Sequence, residues 1–531
     1  MQIRHLVSFT VLVLAANSAL LAQTMVAPDL ILHHGHIFTG DAAQQWVEAI
    51  SIRGDRVLAI GTNDTIRASA GPQTRIIDLH GRMAMPGIND SHDHAGGGPF
   101  GVEAHTKTPP ASDPSLAEIR DAIQAAVASA PAGTWIHSTI GLYAIKHPAE
   151  LKAAMDIDGK GHPVILIAWW GHGVILNSQA LSELHLDDNA KDPPGGHYDR
   201  DSQGHLTGLA EEYAGAWIKR RLSMQNGVSA TITPLREYAE RRLKEGVTSV
   251  QLMSTEQPLS TYRDTLLQAN IPLRVRVMRY QLPGEDERAH EVYIPGQQVI
   301  APRARIAGVK YVLDGTPMEQ LAWSSTDYAG RPGWRGRPNF SPEFVTAQLR
   351  QALIGKDQLI LHITGDAMAD EVLEIMEKLA PPERWRPLRV RFEHANPLDD
   401  PARASRAHRL GIVIAQPRPT LAFRTAFQAG IPVAYGSDQG MSPFFILARM
   451  TDPKNPNAVT REQALTALTA TPAYAEFEET EKGTLSPGML ADIAVLSQDA
   501  TTAPTEALPA TSSVLTIIGG KIEYRSAEGG L

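Results

Sequence analysis

The 531-residue sequence predicts an α/β protein, a (β/α)8 barrel joined to a β-sandwich formed from both ends of the chain. Two observations carry this prediction. Compact apolar runs recur through the middle of the chain with helix-like stretches between them, which is typical of repeated βα units. Short alternating apolar segments, separated by turn pairs such as Gly54–Asp55, lie before and after that region and indicate β-hairpins.

The first residues have the order of a secretory signal. Arg4 is followed by an apolar run over residues 6–16 and by small residues around 19–22. The apolar run is shorter than the roughly 20 residues that cross a bilayer. We therefore expect residues 1–22 to be removed and the mature protein to be periplasmic or secreted, with no membrane association. A retained membrane anchor is the alternative.

The hairpin-like segments at the two ends predict one composite domain. The N-terminal segments are 30–32, 49–52, 57–60 and 75–79, and the C-terminal ones lie in GTLSPGMLADIAVLS and SSVLTIIGGKIEYR. Neither end alone has enough apolar area for a stable core. We expect residues 23–85 and 484–531 to pair as a β-sandwich. Two independent β extensions are the alternative.

The middle of the chain predicts the barrel. The candidate strands are 84–89, 247–252, 273–278, 306–313, 358–363, 388–392, 411–415 and 432–435, and the candidate helices are 116–128, 235–245, 342–355 and 366–379. Such a series closes most simply into a (β/α)8 barrel, here over residues 86–483. More than 150 residues separate the first two candidate strands, so a large insertion is expected at about 100–235.

Composition limits the chemistry. The formal charge of −9 is spread along the chain without a basic stripe, which disfavours nucleic acid as a partner. Cysteine is absent, so disulfides, thiolate catalysis and cysteine-held metals are excluded. Any metal must be held by nitrogen and oxygen, and the 19 histidines supply the nitrogen.

Polar side chains stand at the ends of the predicted strands. His92 and His94 follow the first strand, and Lys310 lies within the fourth. Three more complete the set, namely His362 at the end of the fifth strand, His394 at the end of the sixth and Asp438 at the end of the eighth. The carboxyl ends of barrel strands open onto one mouth, where active sites lie. We expect these six side chains to converge there.

Imidazole and carboxylate are the ligands that Zn²⁺ accepts. An unmodified ammonium at Lys310 would be repelled by two cations, whereas a carbamate formed from its neutral amine and CO₂ could bridge them. Each residue also has a structural interpretation: a strand-end histidine is often a satisfied polar residue, a lone lysine is usually ion-paired, and Asp438 could cap a helix.

Several motifs identify a resemblance. PGINDSHDH, GHGVILNSQAL, GVKYVLDG, HITGD, FEHAN and KGTLSPGMLADIAVL resemble the amidohydrolase superfamily, specifically the amidohydrolase-3 group with the YtcJ-like proteins and N-substituted formamide deformylase. The resemblance covers the mature chain and implies a metal-dependent TIM-barrel hydrolase. It implies that His92 and His94 hold one metal and His362 and His394 a second. It further implies that Lys310 is a carboxylated bridge and that Asp438 is a metal-bound catalytic group.

The expected activity is hydrolysis of a non-peptide C–N bond in an amide, formamide or cyclic amide, by a metal-activated hydroxide with Asp438 as general acid and base. Two Zn²⁺ ions per chain are expected, and the expected partner is a small amide-type molecule. Self-association into a homo-oligomer stays open. The alternatives are a single-metal esterase or lactonase on the same barrel and a non-catalytic exported binding protein.

Four further residues are candidates for substrate contact, and each has a plainer alternative. His172 is expected to reach the site from the insertion, or to bond its own backbone. Trp170 and Trp323 would shape an apolar pocket, or belong to the core. Arg418 would bind a substrate carboxylate, or form a surface ion pair. Asp93, between the two histidines, should face away from them on an extended strand and act as a structural carboxylate.

Overall fold

The computed structural model describes residues 27–95, 97, 100–255, 257–282, 298–355, 357–416, 422–438, 440–527 and 530–531. The predicted signal and Arg418 lie outside these ranges. Among the described residues, no helix combines the length and the apolar character needed to cross a bilayer.

The strands are β1 (Leu30–His33), β2 (His36–Phe38), β3 (Trp46–Val47), β4 (Ala49–Arg53), β5 (Arg56–Gly61), β6 (Arg75–Asp78), β7 (Met83–Pro86), β8 (Ile88–Asp93), β9 (Val102–Glu103), β10 (Ile136–Ile140), β11 (Val164–Ala168), β12 (Gly173–Leu176), β13 (Gly196–Arg200), β14 (Leu206–Glu212), β15 (Val247–Met253), β16 (Arg274–Tyr280), β17 (Gln298–Ala301), β18 (Ala304–Val312), β19 (Leu359–Ile363), β20 (Arg391–His394), β21 (Val413–Gln416), β22 (Val433–Tyr435), β23 (Ile493–Leu496), β24 (Ser513–Ile518) and β25 (Lys521–Arg525).

The helices are α1 (Asn63–Arg67), α2 (Leu116–Ser129), α3 (Leu142–Lys146), α4 (Pro148–Asp158), α5 (Ser178–Glu183), α6 (Tyr213–Ser223), α7 (Ser229–Lys244), α8 (Leu259–Ala269), α9 (Pro342–Ile354), α10 (Asp366–Leu379), α11 (Pro382–Trp385), α12 (Pro401–Leu410), α13 (Ala422–Ala429), α14 (Pro443–Met450), α15 (Arg461–Leu468) and α16 (Ala470–Ala475).

Eight parallel strands form the barrel, in the order β8, β15, β16, β18, β19, β20, β21 and β22. The first and last strands lie side by side, because the amide of Asp438, just after β22, donates to the carbonyl of His92 at 2.8 Å. The predicted barrel is therefore confirmed. The four predicted helices are also found, as α2, α7, α9 and α10.

The first predicted barrel strand, 84–89, is wrong in its bounds. The structure divides it between two sheets: β7 pairs with β2 and β23 in the sandwich, and β8 begins the barrel at Ile88. The change of sheet occurs at Gly87, where a Cβ would lie 2.2 Å from the Thr248 side chain. The sixth strand also begins later than predicted, because Leu388 belongs to a 3-10 turn and Arg389 has a φ of +46°.

Strands from both ends of the chain form the sandwich. One sheet has the order β5-β4-β1-β6, and the other has the order β25-β24-β23-β7-β2-β3. The antiparallel pairing of β23 with β7 joins the two ends in one sheet, over a shared core that includes Leu32 and Ile517. The domain limits at 85/86 and 483/484 stay a prediction.

The chain forms a separate sheet in the segment between β8 and β15, the first two barrel strands. Its order is β13-β14-β12-β11-β10-β9, and it has a hydrophobic core of its own, with Ile136 and Leu166 at 0% exposure. β12 and β14 are antiparallel neighbours, and this pairing sets the carbonyl of His172 opposite the amide of Glu212 at 3.0 Å. The expected insertion thus places His172 and Glu212 side by side next to the barrel.

Candidate active site and metal centre

The six residues expected at the barrel mouth do converge. His92, His94, Lys310, His362, His394 and Asp438 all line one cavity of about 570 Å³. Each follows or lies within a barrel strand, and the parallel pairing brings the carboxyl ends of those strands together. The convergence is a consequence of topology, since neighbouring members of this set are separated by up to 216 residues in sequence (His94 to Lys310).

The first group consists of His92, His94 and Asp438. Asp438 Oδ1 lies 3.6 Å from Nε2 of His92 and 3.4 Å from Nε2 of His94, and the three ligand atoms lie within 4.8 Å of one another. Ligand atoms about 2.1 Å from a tetrahedral ion lie about 3.4 Å apart. The spacing therefore fits a shared cation.

The second group consists of His362, His394 and Lys310. The rings of His362 and His394 are 4.4 Å apart, and that of His394 is 5.3 Å from His92, so the two groups adjoin. Nε2 of His362 is buried and has no hydrogen-bond partner among the described residues. A buried ring nitrogen without a partner is costly unless something binds it. The unpartnered Nε2 of His362 therefore fits a bound metal, as does the spacing of His92, His94 and Asp438.

Burial sets the protonation of these groups. It lowers the pKa of His394 to about 3, and it lowers the pKa of His92 and, well below the usual range, that of His362. Burial also lowers the pKa of Lys310, which is 3% exposed. Neutral imidazoles and a lysine that gives up its proton more easily are what metal ligation and carbamate formation need.

Asp438 has the opposite balance. Burial alone would raise the pKa of its carboxyl, but the hydrogen bond from His94 and the charges of His92 and His94 hold it well below its usual value. Asp438 also has a φ of +45°, and His394 has a φ of +63°. Non-glycine residues in the left-handed region cost energy and are concentrated at functional sites, where the surrounding structure holds them.

Glu393 is a site residue that sequence reasoning missed. Its buried carboxylate bonds Nδ1 of His92 and the guanidinium of Arg391. Arg391 also donates to Gln251 Oε1 at 2.6 Å and to the carbonyl of Ser91. Burial alone would raise the pKa of Glu393, but Arg391 and His92 bring it far below its usual range. The available signal was the pair of opposite charges, Arg391 and Glu393, two residues apart in a barrel strand, since a buried strand holds such charges only when they are paired.

The His-x-His segment is also held by carboxylates. Asp90 binds Arg242 in a fully buried ion pair and accepts from the amide of Ser437 at 3.0 Å. Asp93 accepts from the hydroxyl of Tyr238 at 2.6 Å and from the amide of Gly440 at 2.9 Å. The prediction that Asp93 is a structural carboxylate is confirmed.

The four candidates for substrate contact have different outcomes. His172 lines the cavity, with Nδ1 3.0 Å from Glu212 Oε1 and its ring 4.8 Å from that of His362. Trp170 also lines the cavity. Trp323 does not line it and packs against the main core instead, because its backbone amide is held by Asp314 at 3.0 Å. Arg418 lies outside the described residues.

The pKa of His172 differs from those of the other site histidines. Burial would lower it, but the charge of Glu212 and its hydrogen bond outweigh burial and raise it. Glu212 is itself a residue that sequence reasoning missed, with a φ of +55° and a side chain only 2% exposed.

A barrel of parallel strands with four histidines, a lysine and an aspartate at its mouth offers nitrogen and oxygen ligands suited to a metal-dependent hydrolase. A model of the amidohydrolase family matches residues 75–524, and the chain belongs to that family. The resemblance to the amidohydrolase-3 group is thereby confirmed. The chain is a hydrolase of the metal-dependent amidohydrolase superfamily.

Two relatives match over nearly their whole length. The chain is 26% identical to Protein LONG AFTER FAR-RED 3 of Arabidopsis thaliana, over 94% of this chain and 92% of that one. It is 24% identical to N-substituted formamide deformylase of Arthrobacter pascens, over 93% and 98%. A metal-dependent hydrolase of Pyrococcus horikoshii OT3 has the same fold, with a TM-score of 0.67 at 18% identity, over 90% and 99%.

Proposed function

We propose that this protein hydrolyses a non-peptide C–N bond in a small amide, formamide or cyclic amide. The observation that carries the proposal is the convergence of side chains in a cavity of about 570 Å³: the ligand atoms of His92, His94 and Asp438 lie within 4.8 Å of one another, and the ring of His394 lies 5.3 Å from that of His92. The similarity to a formamide deformylase over 98% of its length supports the C–N bond as the target.

We propose two zinc ions as the resident metals. His92, His94 and Asp438 would hold the first, and His362 and His394 the second, with a carbamate on Lys310 between them. Zinc accepts nitrogen and oxygen ligands, and the sequence offers no cysteine. Bound zinc lowers the pKa of water and polarises a carbonyl group.

The protein's own residues supply the rest of the chemistry. The low pKa of Asp438 keeps its carboxylate ionised, ready to accept the proton of the attacking water and to pass it to the leaving nitrogen. Glu393 fixes the ring of His92 through Nδ1, so that Nε2 faces Asp438. The buried walls, including Trp170, limit the access of bulk water.

The test is a hydrolysis screen of N-acyl, N-formyl and cyclic amide compounds with the zinc-loaded mature protein, with esters and lactones alongside. We expect turnover of at least one amide and none with Asp438→Asn, which should keep most of its metal. Asp327→Asn is the matched control, because its carboxylate is on the surface and pairs with Arg335. Activity of Asp438→Asn like that of the wild type, or turnover of esters alone, would contradict the proposal.

Metal content tests the two-metal arrangement separately. We expect two zinc equivalents per wild-type chain and fewer in Lys310→Ala, because the bridging ligand is then lost. One tightly held equivalent in the wild type, unchanged in Lys310→Ala, would favour a single-metal site with an unmodified lysine.

We also propose that the protein acts outside the cytoplasm. The support is the order of charged, apolar and small residues over 1–22. N-terminal sequencing of protein recovered from the exported fraction should begin near residue 23. A chain that starts at Met1 and stays with the membranes would indicate a retained anchor.

A further inference from the structure

Three histidines surround one carboxylate in the β-sandwich, away from the active-site cavity. His33 ends β1 and Asp78 ends β6, and the parallel pairing of these strands sets the two residues opposite each other. His34 and His80 lie just beyond the ends of the same strands, and each has a φ of +51°. These four residues do not line the cavity at the barrel mouth, so the cluster is separate from the proposed metal centre.

The side chains of this cluster converge on Asp78. Its Oδ2 lies 2.8 Å from Nδ1 of His34 and 3.9 Å from Nε2 of His33, and its Oδ1 lies 3.4 Å from Nδ1 of His80. One ring nitrogen of His33, one of His34 and one carboxylate oxygen of Asp78 all lie within 4.8 Å of one another. Ligand atoms of a tetrahedral zinc ion are about 3.4 Å apart. Small shifts of the partly exposed His34 and Asp78 would therefore bring the three atoms to that spacing.

His33 supplies an independent indication of a ligand. Its side chain is only 4% exposed. Among the described residues, neither of its ring nitrogens makes a hydrogen bond, since Nδ1 has no partner and Nε2 faces Asp78 from 3.9 Å. A buried polar group without a partner is costly. A cation between Nε2 and the carboxylate would give this ring the polar partner that it lacks.

Two features limit how tightly a cation would be held. Arg67, in the last turn of α1, lies near enough for its positive charge to act on His33. The side chains of His34 and His80 are also about half exposed, so part of the coordination shell would stay open to water. We therefore expect a site that fills when free zinc is present and empties in zinc-free buffer, whereas the two equivalents expected at the barrel mouth remain bound.

We propose that His33, His34 and Asp78 bind a zinc ion in the β-sandwich, with His80 or water in the fourth position. Imidazole nitrogen and carboxylate oxygen are both zinc ligands. The ion would join the carboxyl ends of β1 and β6, and because only the folded chain brings these ends together, it would stabilise the fold. The inference goes beyond the proposed hydrolysis and does not depend on it.

Zinc content at a fixed concentration of free zinc tests the site. The wild type and each variant are dialysed to equilibrium against the same zinc buffer. The active site is the same in all of them, so differences in content report on the sandwich alone. His34→Ala and Asp78→Asn should each hold about one equivalent less than the wild type, because a ligand is lost.

His197→Ala is the matched control. His197 also pairs with an aspartate, Asp192, at 2.9 Å, but the other described partners of that carboxylate are Arg200 and a backbone amide. The variant should therefore hold as much zinc as the wild type. Equal zinc in the wild type, His34→Ala and Asp78→Asn would overturn the proposal, and so would an equal loss in the control.

Thermal unfolding gives a second measurement, which separates zinc binding from damage to the fold. Each protein starts with its active-site zinc in place, and the melting temperature is measured before and after more zinc is added. The added zinc should raise the melting temperature of the wild type and of His197→Ala, because the ion binds only the folded chain. It should not raise that of His34→Ala or Asp78→Asn. A rise of the same size in all four proteins, or in none, would contradict the proposal.

Discussion

Glu476 lies at the opposite end of the barrel from the cavity, and replacing it tests how much a buried ion pair contributes to stability there. Its carboxylate, 1% exposed, lies 2.7 Å from Nζ of Lys482 and 2.5 Å from the guanidinium of Arg305. It also accepts from Nδ2 of Asn89 at 2.7 Å. Asn89 and Arg305 stand near the amino-terminal ends of β8 and β18, so this cluster joins strands without touching the site.

The magnitude follows from the pKa of Glu476. Burial alone would raise it, but the charges of Lys482 and Arg305 lower the pKa to about 2 from 4.5. A shift of this size corresponds to about 3 kcal/mol of stability near pH 7. Because the folded pKa is the lower one, the contribution is complete above about pH 4.5 and is lost as the pH falls toward 2. At pH 3 about 1 kcal/mol should remain.

Glu476→Gln should therefore lower the free energy of unfolding by about 3 kcal/mol at pH 7, the order expected when one partner of a buried ion pair is removed. The difference from the wild type should shrink to about 1 kcal/mol at pH 3. Urea unfolding at the two pH values measures both. The activity of the folded variant should be unchanged.

Glu479→Gln is the matched control. Its carboxylate pairs with Arg389 and is 36% exposed, and exposed pairs contribute about 1 kcal/mol or less. A loss for Glu476→Gln that is the same at pH 7 and pH 3, or no larger than that of the control, would refute the reasoning.

Three further predictions concern the site. Glu393→Gln should weaken zinc binding by about 10–100-fold, because the ring of His92 loses the carboxylate that binds its Nδ1. Competition with a chelator measures the affinity, and an unchanged affinity would contradict the prediction. Gly436→Ala should displace His92 and reduce kcat, since the added Cβ would lie 2.5 Å from the Cβ of His92. Gly61→Ala is the control and should leave kcat unchanged, because the atom nearest to its added Cβ would be 3.8 Å away. Dialysis against a chelator should abolish hydrolysis, and added zinc should restore it; full activity in the metal-free protein would exclude the metal's role.

The barrel and the polar residues at its mouth could be predicted because each depends on local pattern. A buried strand shows as an apolar run, and a polar residue at its end is visible without knowing its neighbours. Parallel strands of a barrel then bring those ends together, so His92, Lys310, His394 and Asp438 could be grouped before their distances were known. The strand limits near Gly87 were mispredicted because one apolar run serves two sheets.

The sequence by itself determined which strands build the barrel and which residue types stand at its mouth. Only the tertiary structure decided how those residues are held. Glu393 meets His92 across 301 residues, and Glu212 meets His172 across 40, through a pairing of β12 with β14 that leaves no periodic signal. The physical reason is that a buried carboxylate is stable only beside its partner, and the partner is chosen by the packing of the whole chain.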